Sequence, residues 1–132
     1  MNLFVDTSAF YALLDQDDGN HHRAAAAWTK ILQAADGLIT SNYVVVETVA
    51  LLQHRIGLDA VRAFQSELVP AVHVAYVDNE IHGQGMLGLL AAGKRKLSLV
   101  DCINFELMRH LGLTRVFTFD SHFRQQGFEA VP

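Results

Sequence analysis

The sequence predicts an α/β fold: three layers, α/β/α, around a central parallel sheet of four to five strands in a single domain spanning residues 1–132. Three observations predict it. Leu3-Phe4-Val5 is a short apolar run that ends on Asp6 and is followed by the helix-opening pair Thr7-Ser8, the pattern of a buried parallel strand turning into a helix. Similar apolar runs recur near residues 38, 72 and 115, separated by stretches with helical periodicity. Alternation of this kind needs right-handed crossovers, which lay helices on both faces of a parallel sheet.

The elements follow in order. Ser8–Leu14 reads as a first short helix, and the polar cluster from Asp15 to Asn20 as a loop whose last residue caps a second helix. Ala24, Ala27, Trp28, Ile31, Leu32 and Ala35 repeat at helical spacing up to Asp36-Gly37. Leu38-Ile39-Thr40 is the second strand, and Ser41-Asn42 opens a helix with Val45, Val49, Leu52 and Ile56 on its inner stripe, stopped by Gly57. Leu58–Leu68 is a further helix, ended by Pro70. Val72–Val77 alternates as a third strand, and Asp78 caps a helix running to about Ala92. After the basic loop Lys94-Arg95-Lys96, Ser98 caps a helix carrying Leu99, Ile103, Leu107 and Leu111. Arg115–Phe119 is the fourth strand, ending on Asp120, and Phe128–Val131 a short edge strand.

Composition narrows the function. Apolar residues make up 51% of the 132, ample for one packed core, and Cys102, the single cysteine, leaves no internal disulfide. No apolar run approaches the ~20 residues that cross a bilayer, and no leader precedes the first strand, so the expectation is a soluble, cytoplasmic protein. The net charge of −4 opposes any general attraction to nucleic acid. A polyanionic substrate therefore has to be held by local basic groups or by metal ions.

Four acids fall at strand ends or in early helical turns: Asp6, Glu47, Asp101 and Asp120. In an open α/β sheet these positions face the ligand crevice beyond the carboxyl ends of the strands. Two carboxylates ~4 Å apart repel by about 4 kcal/mol at an effective dielectric near 20, about three pKa units. A helix dipole returns only ~1 kcal/mol. Such a cluster must take up protons or cations, and hard oxygen donors suit Mg²⁺ or Mn²⁺. Each acid also has a plainer role: Asp101 has the capping-box spacing from Ser98, Asp120 can cap the last short helix, and Glu47 can be a solvated helix residue. A strand-end aspartate is also compatible with a phospho-aspartate phosphotransferase or phosphatase, although position 8 holds Ser where that chemistry wants a second acid, and with a non-enzymatic module that binds structural Mg²⁺.

In these residues the sequence resembles the PIN-domain ribonucleases, and within them the VapC-type toxins of toxin–antitoxin pairs. Val5-Asp6-Thr7-Ser8, Thr40-Ser41 through Glu47, Leu97-Ser98-Leu99-Val100-Asp101 and Thr118-Phe119-Asp120-Ser121-His122-Phe123 match the family's four acidic segments in order. The resemblance implies strand order 3-2-1-4-5 and Mg²⁺- or Mn²⁺-dependent cleavage of RNA. It makes Asp6, Glu47, Asp101 and Asp120 the catalytic metal-binding residues, with Ser8 and Thr118 orienting Asp6 and Asp120. It also implies a homodimer and a small antitoxin protein as partner, while leaving open an RNA-processing nuclease without a toxin role. Lys94, Arg95 and Lys96 are candidates for contact with RNA phosphates, as are Arg23 and Lys30 on the second helix. The seven histidines show no zinc-like spacing.

Overall fold

A computed structural model describes residues 2–132. Among them, five strands form one parallel sheet: β1 (Asn2–Val5), β2 (Gly37–Ser41), β3 (His73–Ala75), β4 (Arg115–Phe117) and β5 (Glu129–Val131), in the order β3-β2-β1-β4-β5. This is the order the resemblance implies. β1 is central, with Phe4 opposite both Ile39 and Val116 and Val5 opposite Phe117. Its Leu3, Phe4 and Val5 are fully buried, as a strand covered on both faces requires.

The helices are α1 (Thr7–Leu14), α2 (His21–Gln33), α3 (Asn42–Arg55), α4 (Leu58–Ala63), α5 (Asn79–Ala92), α6 (Leu99–His110) and α7 (His122–Gln125). Right-handed crossovers send α1 to α4 to one face of the sheet and α5 to α7 to the other. The packing agrees. Phe10 of α1 meets Phe64 edge-on at 5.1 Å and Trp28 of α2 stacks on Phe117, while Phe105 of α6 meets Phe123 of α7 edge-on on the opposite face. Among the described residues, no helix is long and apolar enough to cross a membrane.

Four details depart from the sequence reading. The buried stripe of α3 is Val44, Thr48 and Leu52, one residue out of phase with the Val45–Val49 stripe expected, and Ile56 is 46% exposed. Val44-Val45-Val46 is apolar in every register, so tertiary partners choose. The Ser41 hydroxyl caps the Val44 N–H at 3.0 Å, and Thr48 turns inward to Thr7, 3.3 Å away. The helix expected over Leu58–Leu68 is α-helical only to Ala63; it widens into a π turn over Phe64–Leu68, and Pro70 lies in a following 3-10 turn. In α6, Leu111 is 43% exposed, whereas Phe105 and Met108 are buried. The fourth strand stops at Phe117, three residues before Asp120.

Helices α5 and α6 pack closely because Gly85 has no side chain. A Cβ there would lie 2.5 Å from Ile103 Cγ1 and 3.0 Å from Ile103 Cα and N. Backbone cannot move aside cheaply, so Gly85→Ala is expected to lower stability by about 1–3 kcal/mol. Urea denaturation checks this, and an unchanged midpoint would show that α5 can shift away from α6 without cost.

Candidate active site

The four acids line one cleft of about 410 Å³ beyond the carboxyl end of the sheet. Asp6 follows β1 directly and is 4% exposed. It is the N-cap of α1, and its Oδ2 accepts hydrogen bonds from the Ser8 hydroxyl (2.8 Å), the Thr118 hydroxyl (2.9 Å) and, more weakly, the Ser8 N–H (3.4 Å). Each hydroxyl has one proton to give. With both given to Asp6, the two oxygens are left as acceptors, and they take the N–H groups of Phe119 (2.9 Å, on Ser8) and Asp120 (3.0 Å, on Thr118). Two of these bonds, Thr118 hydroxyl to Asp6 and Phe119 N–H to Ser8, tie the segment 118–120 to the end of β1, and the other two brace the pieces they join. None of the three bonds to Asp6 from Ser8 and Thr118 uses Oδ1.

Thr118, rather than Asp120, is thus the β4-side neighbour of Asp6. Thr118 N–H still bonds the Val131 carbonyl at 3.1 Å, and the chain then leaves the sheet. Asp120 lies beyond that turn, where its Oδ1 accepts the His122 N–H at 2.9 Å and stands 2.8 Å from His122 Nδ1. Asp101 occupies the first turn of α6 in a reciprocal cap with Ser98: Asp101 N–H donates to Ser98 Oγ at 3.1 Å, and Ser98 N–H to Asp101 Oδ2 at 3.2 Å. The capping role read from the spacing and a place in the cleft are therefore compatible, since the cap uses one carboxylate oxygen. Glu47 enters from α3. The Ser41 hydroxyl donates to Asn104 Oδ1 at 3.2 Å, tying the start of that helix to α6.

Burial dominates the electrostatics. It pushes Asp6 from 3.8 up to about 6, against the pull of the Ser8 and Thr118 hydroxyls, with the Asp101 charge adding to the rise. Asp101 is raised by burial and by Asp120, and Glu47 by burial and by both Asp101 and Asp120. At neutral pH an ionised Asp6 costs the folded chain about 3 kcal/mol. A cation in the cleft would remove that cost. The closest donor group among the described residues is Asp101, Asp120 and His122, whose ligand atoms all lie within 4.8 Å of one another.

Two residues at the site lie outside the sequence candidates: His122, beside Asp120, and Arg55, in the cleft wall. His122 was set aside with the other histidines, yet it stands two residues after Asp120, a spacing that lets its backbone and ring both reach that carboxylate. Arg55 lines the cleft with its guanidinium 5.3 Å over the Tyr11 ring. Its signal was present, because Glu47, Leu51 and Arg55 share one helical stripe and all three line the cleft. Lys94, Arg95 and Lys96 sit on the exposed loop between α5 and α6 and are not among the lining residues.

Comparison with known proteins bears on the same features. The PIN domain family model matches residues 3–129. The chain belongs to the PIN-domain family. This PIN domain is 34% identical over 130 residues to the 23S rRNA-specific endonuclease VapC20 of Mycobacterium tuberculosis, spanning 98% of this chain and 97% of the relative. The crystal structure of VapC20, described as a sarcin-ricin loop cleaving toxin, superposes with a TM-score of 0.84 over 98% of this chain and 99% of its own. FitAcB from Neisseria gonorrhoeae (TM-score 0.70, 18% identity, 100% of this chain and 97% of its own) and VapBC-1 from nontypeable Haemophilus influenzae (0.68, 17%, 98% and 96%) share the fold.

Proposed function

We propose that this PIN domain is a divalent-metal-dependent endoribonuclease and the toxin of a toxin–antitoxin pair. The observation that carries the reading is the convergence of Asp6, Glu47, Asp101 and Asp120 on one cleft, with three of them held above their ordinary pKa by burial. Full-length similarity to a 23S rRNA-specific endonuclease supports RNA as the substrate.

The donor set fits Mg²⁺ or Mn²⁺: carboxylate oxygens predominate, and the Ser8 and Thr118 bonds to Asp6 all fall on Oδ2, leaving Oδ1 for a cation. Asp6, Glu47, Asp101 and Asp120 would hold the ion. When bound, such an ion activates water and offsets the charge gathering on a phosphodiester. The chain does the positioning. Ser8 and Thr118 fix the carboxylate plane of Asp6, Ser98 that of Asp101, and the His122 N–H that of Asp120. Tyr11 and Phe119 give the cleft aromatic walls. The reaction adds a water oxygen to phosphorus and breaks the bond to the 3′ oxygen, leaving 5′-phosphate and 3′-hydroxyl ends. Lys94, Arg95 and Lys96, on the loop before Ser98, offer further contacts to phosphates.

The toxin reading brings a small antitoxin protein and a second copy of the chain as partners. Leu87 and Leu90, one turn apart on α5 and each about 70% exposed, supply apolar surface for such contacts. Action on ribosomal RNA implies a cytoplasmic protein, in keeping with the single cysteine.

Purified protein incubated with 23S rRNA and Mn²⁺ is expected to produce discrete fragments with 5′-phosphate ends, and EDTA to stop the reaction. RNA left intact with both Mg²⁺ and Mn²⁺ would overturn the nuclease reading. Growth that continues normally during expression of the active chain, without its antitoxin, would remove the toxin role alone.

A further inference from the structure

The acid cleft continues past Asp120. Asn20, Phe119 and Asp120 line both the cleft and a smaller hollow of about 130 Å³ beside it. That hollow shares Arg23 and Pro132 with a third depression of about 570 Å³, which runs between α2 and the β4–β5 side of the sheet. The shared walls join the three into one channel leading from the carboxylates along α2.

Charge reverses along this channel. Beyond Phe119 its walls carry Arg23 and Arg124, and further along Lys30. All three are exposed, and among the described residues none lies within ion-pair distance of an aspartate or glutamate. Arg115, in the same groove, differs: Asp36 and Glu129 lie 3.9 and 3.8 Å from its guanidinium. Arg23 and Lys30 are seven residues apart on α2, two turns, so they project from the same side at a separation of about 10 Å along the helix. The Arg23 guanidinium lies 5.4 Å over the Phe119 ring, just where the acidic and basic parts meet. Arg124 donates to the backbone oxygen of Pro132 at 3.4 Å. In a chain of net charge −4 with ten basic residues, three cations along one groove with no aspartate or glutamate partner form a local cluster.

We infer that this channel is the path of single-stranded RNA away from the cleavage site, with Phe119 stacking a base and Arg23, Arg124 and Lys30 holding phosphates. The inference rests on the ribonuclease reading and extends it from the cleft to the strand beyond. A protein acidic overall must hold polyanion through local cations; Arg55 stands in the cleft itself, and Arg23, Arg124 and Lys30 line the hollows that adjoin it. Aromatic faces alternating with cations are how single strands are held without regard to sequence. An apolar segment laid over Arg23, Lys30 and Arg124 would instead bury these charges without partners.

The test is fluorescence anisotropy with a labelled, unstructured 12-nucleotide RNA in EDTA, titrated with wild-type protein and with R23Q/K30Q/R124Q from about 50 to 300 mM KCl. Wild-type cleavage of RNA in Mn²⁺ is measured alongside. The triple variant is expected to bind at least ~10-fold more weakly near 100 mM KCl, and its slope of log affinity against log salt to be shallower by about 2, since each phosphate contact on a single strand contributes about 0.7. If wild-type protein cleaves and binds RNA but the triple variant matches it in affinity and slope, the path is overturned while the nuclease stands, and the groove belongs to another occupant, such as an acidic protein segment. Wild-type protein that neither cleaves nor binds overturns both.

Discussion

Asp6→Asn is expected to lower Mn²⁺-dependent RNA cleavage by about 10³-fold or more, equivalent to about 4 kcal/mol of transition-state stabilisation. The substitution is suited to the question because it leaves the local structure in place. Asn is as good an N-cap as Asp, and its carbonyl oxygen can accept the hydroxyl protons of Ser8 and Thr118 as Oδ2 does now. The segment 118–120, and with it Asp120, then stays where it is. What disappears is the negative charge and the second carboxylate oxygen, the atom that the Ser8 and Thr118 bonds do not use. Initial rates at saturating Mn²⁺, with circular dichroism and melting in parallel, check the expectation. A variant that folds normally and cleaves within tenfold of wild type would remove Asp6 from the metal site and leave it as a helix cap.

The legibility of this molecule in its sequence divides along the range of the signals. The central strand, its order in the alternation and the approach of the four acids to one edge were readable because each is written in a few adjacent residues: an apolar run ending on Asp6, Ser98 three residues before Asp101, a strand-like run before Asp120. The stripe of α3 was misread because three consecutive valines carry no period, and long-range partners such as Thr7 decide which side faces inward. The length of β4 was misread because Phe117-Thr118-Phe119 has high strand propensity throughout, whereas the strand's end is set by Thr118 turning its hydroxyl to Asp6, 112 residues away in sequence. The basic groups divide in the same way. Lys94-Arg95-Lys96 stands out as a run, but Arg23, Lys30 and Arg124 become a set only when α2 is laid beside the β4–β5 side of the sheet.

The same Asp6→Asn substitution should stabilise the metal-free protein, by an amount that depends on pH. Asp6 takes up its proton near pH 6 in the folded chain and near 3.8 when it is as exposed as in the unfolded chain. Between these values the folded state binds more protons than the unfolded state, so the stability of the wild type falls as pH rises. The loss is complete above about pH 7 and amounts to about 3 kcal/mol. Below the unfolded value both states are protonated and this penalty is absent. Asn carries no such proton, so in EDTA the variant's stability relative to wild type should improve by about 2 kcal/mol between pH 4 and pH 7.5. Burial of Glu47 and Asp101 raises them in both proteins, so their share of the pH dependence largely cancels in the comparison. Saturating Mn²⁺ at pH 7.5 should narrow or reverse the difference, because an ion that binds only the folded wild type stabilises it in proportion to RT ln(1 + [L]/Kd). Urea denaturation of both proteins at four pH values, with EDTA and with Mn²⁺, separates these contributions. A difference that stays constant across the pH range would show that Asp6 titrates normally, and the burial that makes the cleft a cation site would lose its electrostatic basis.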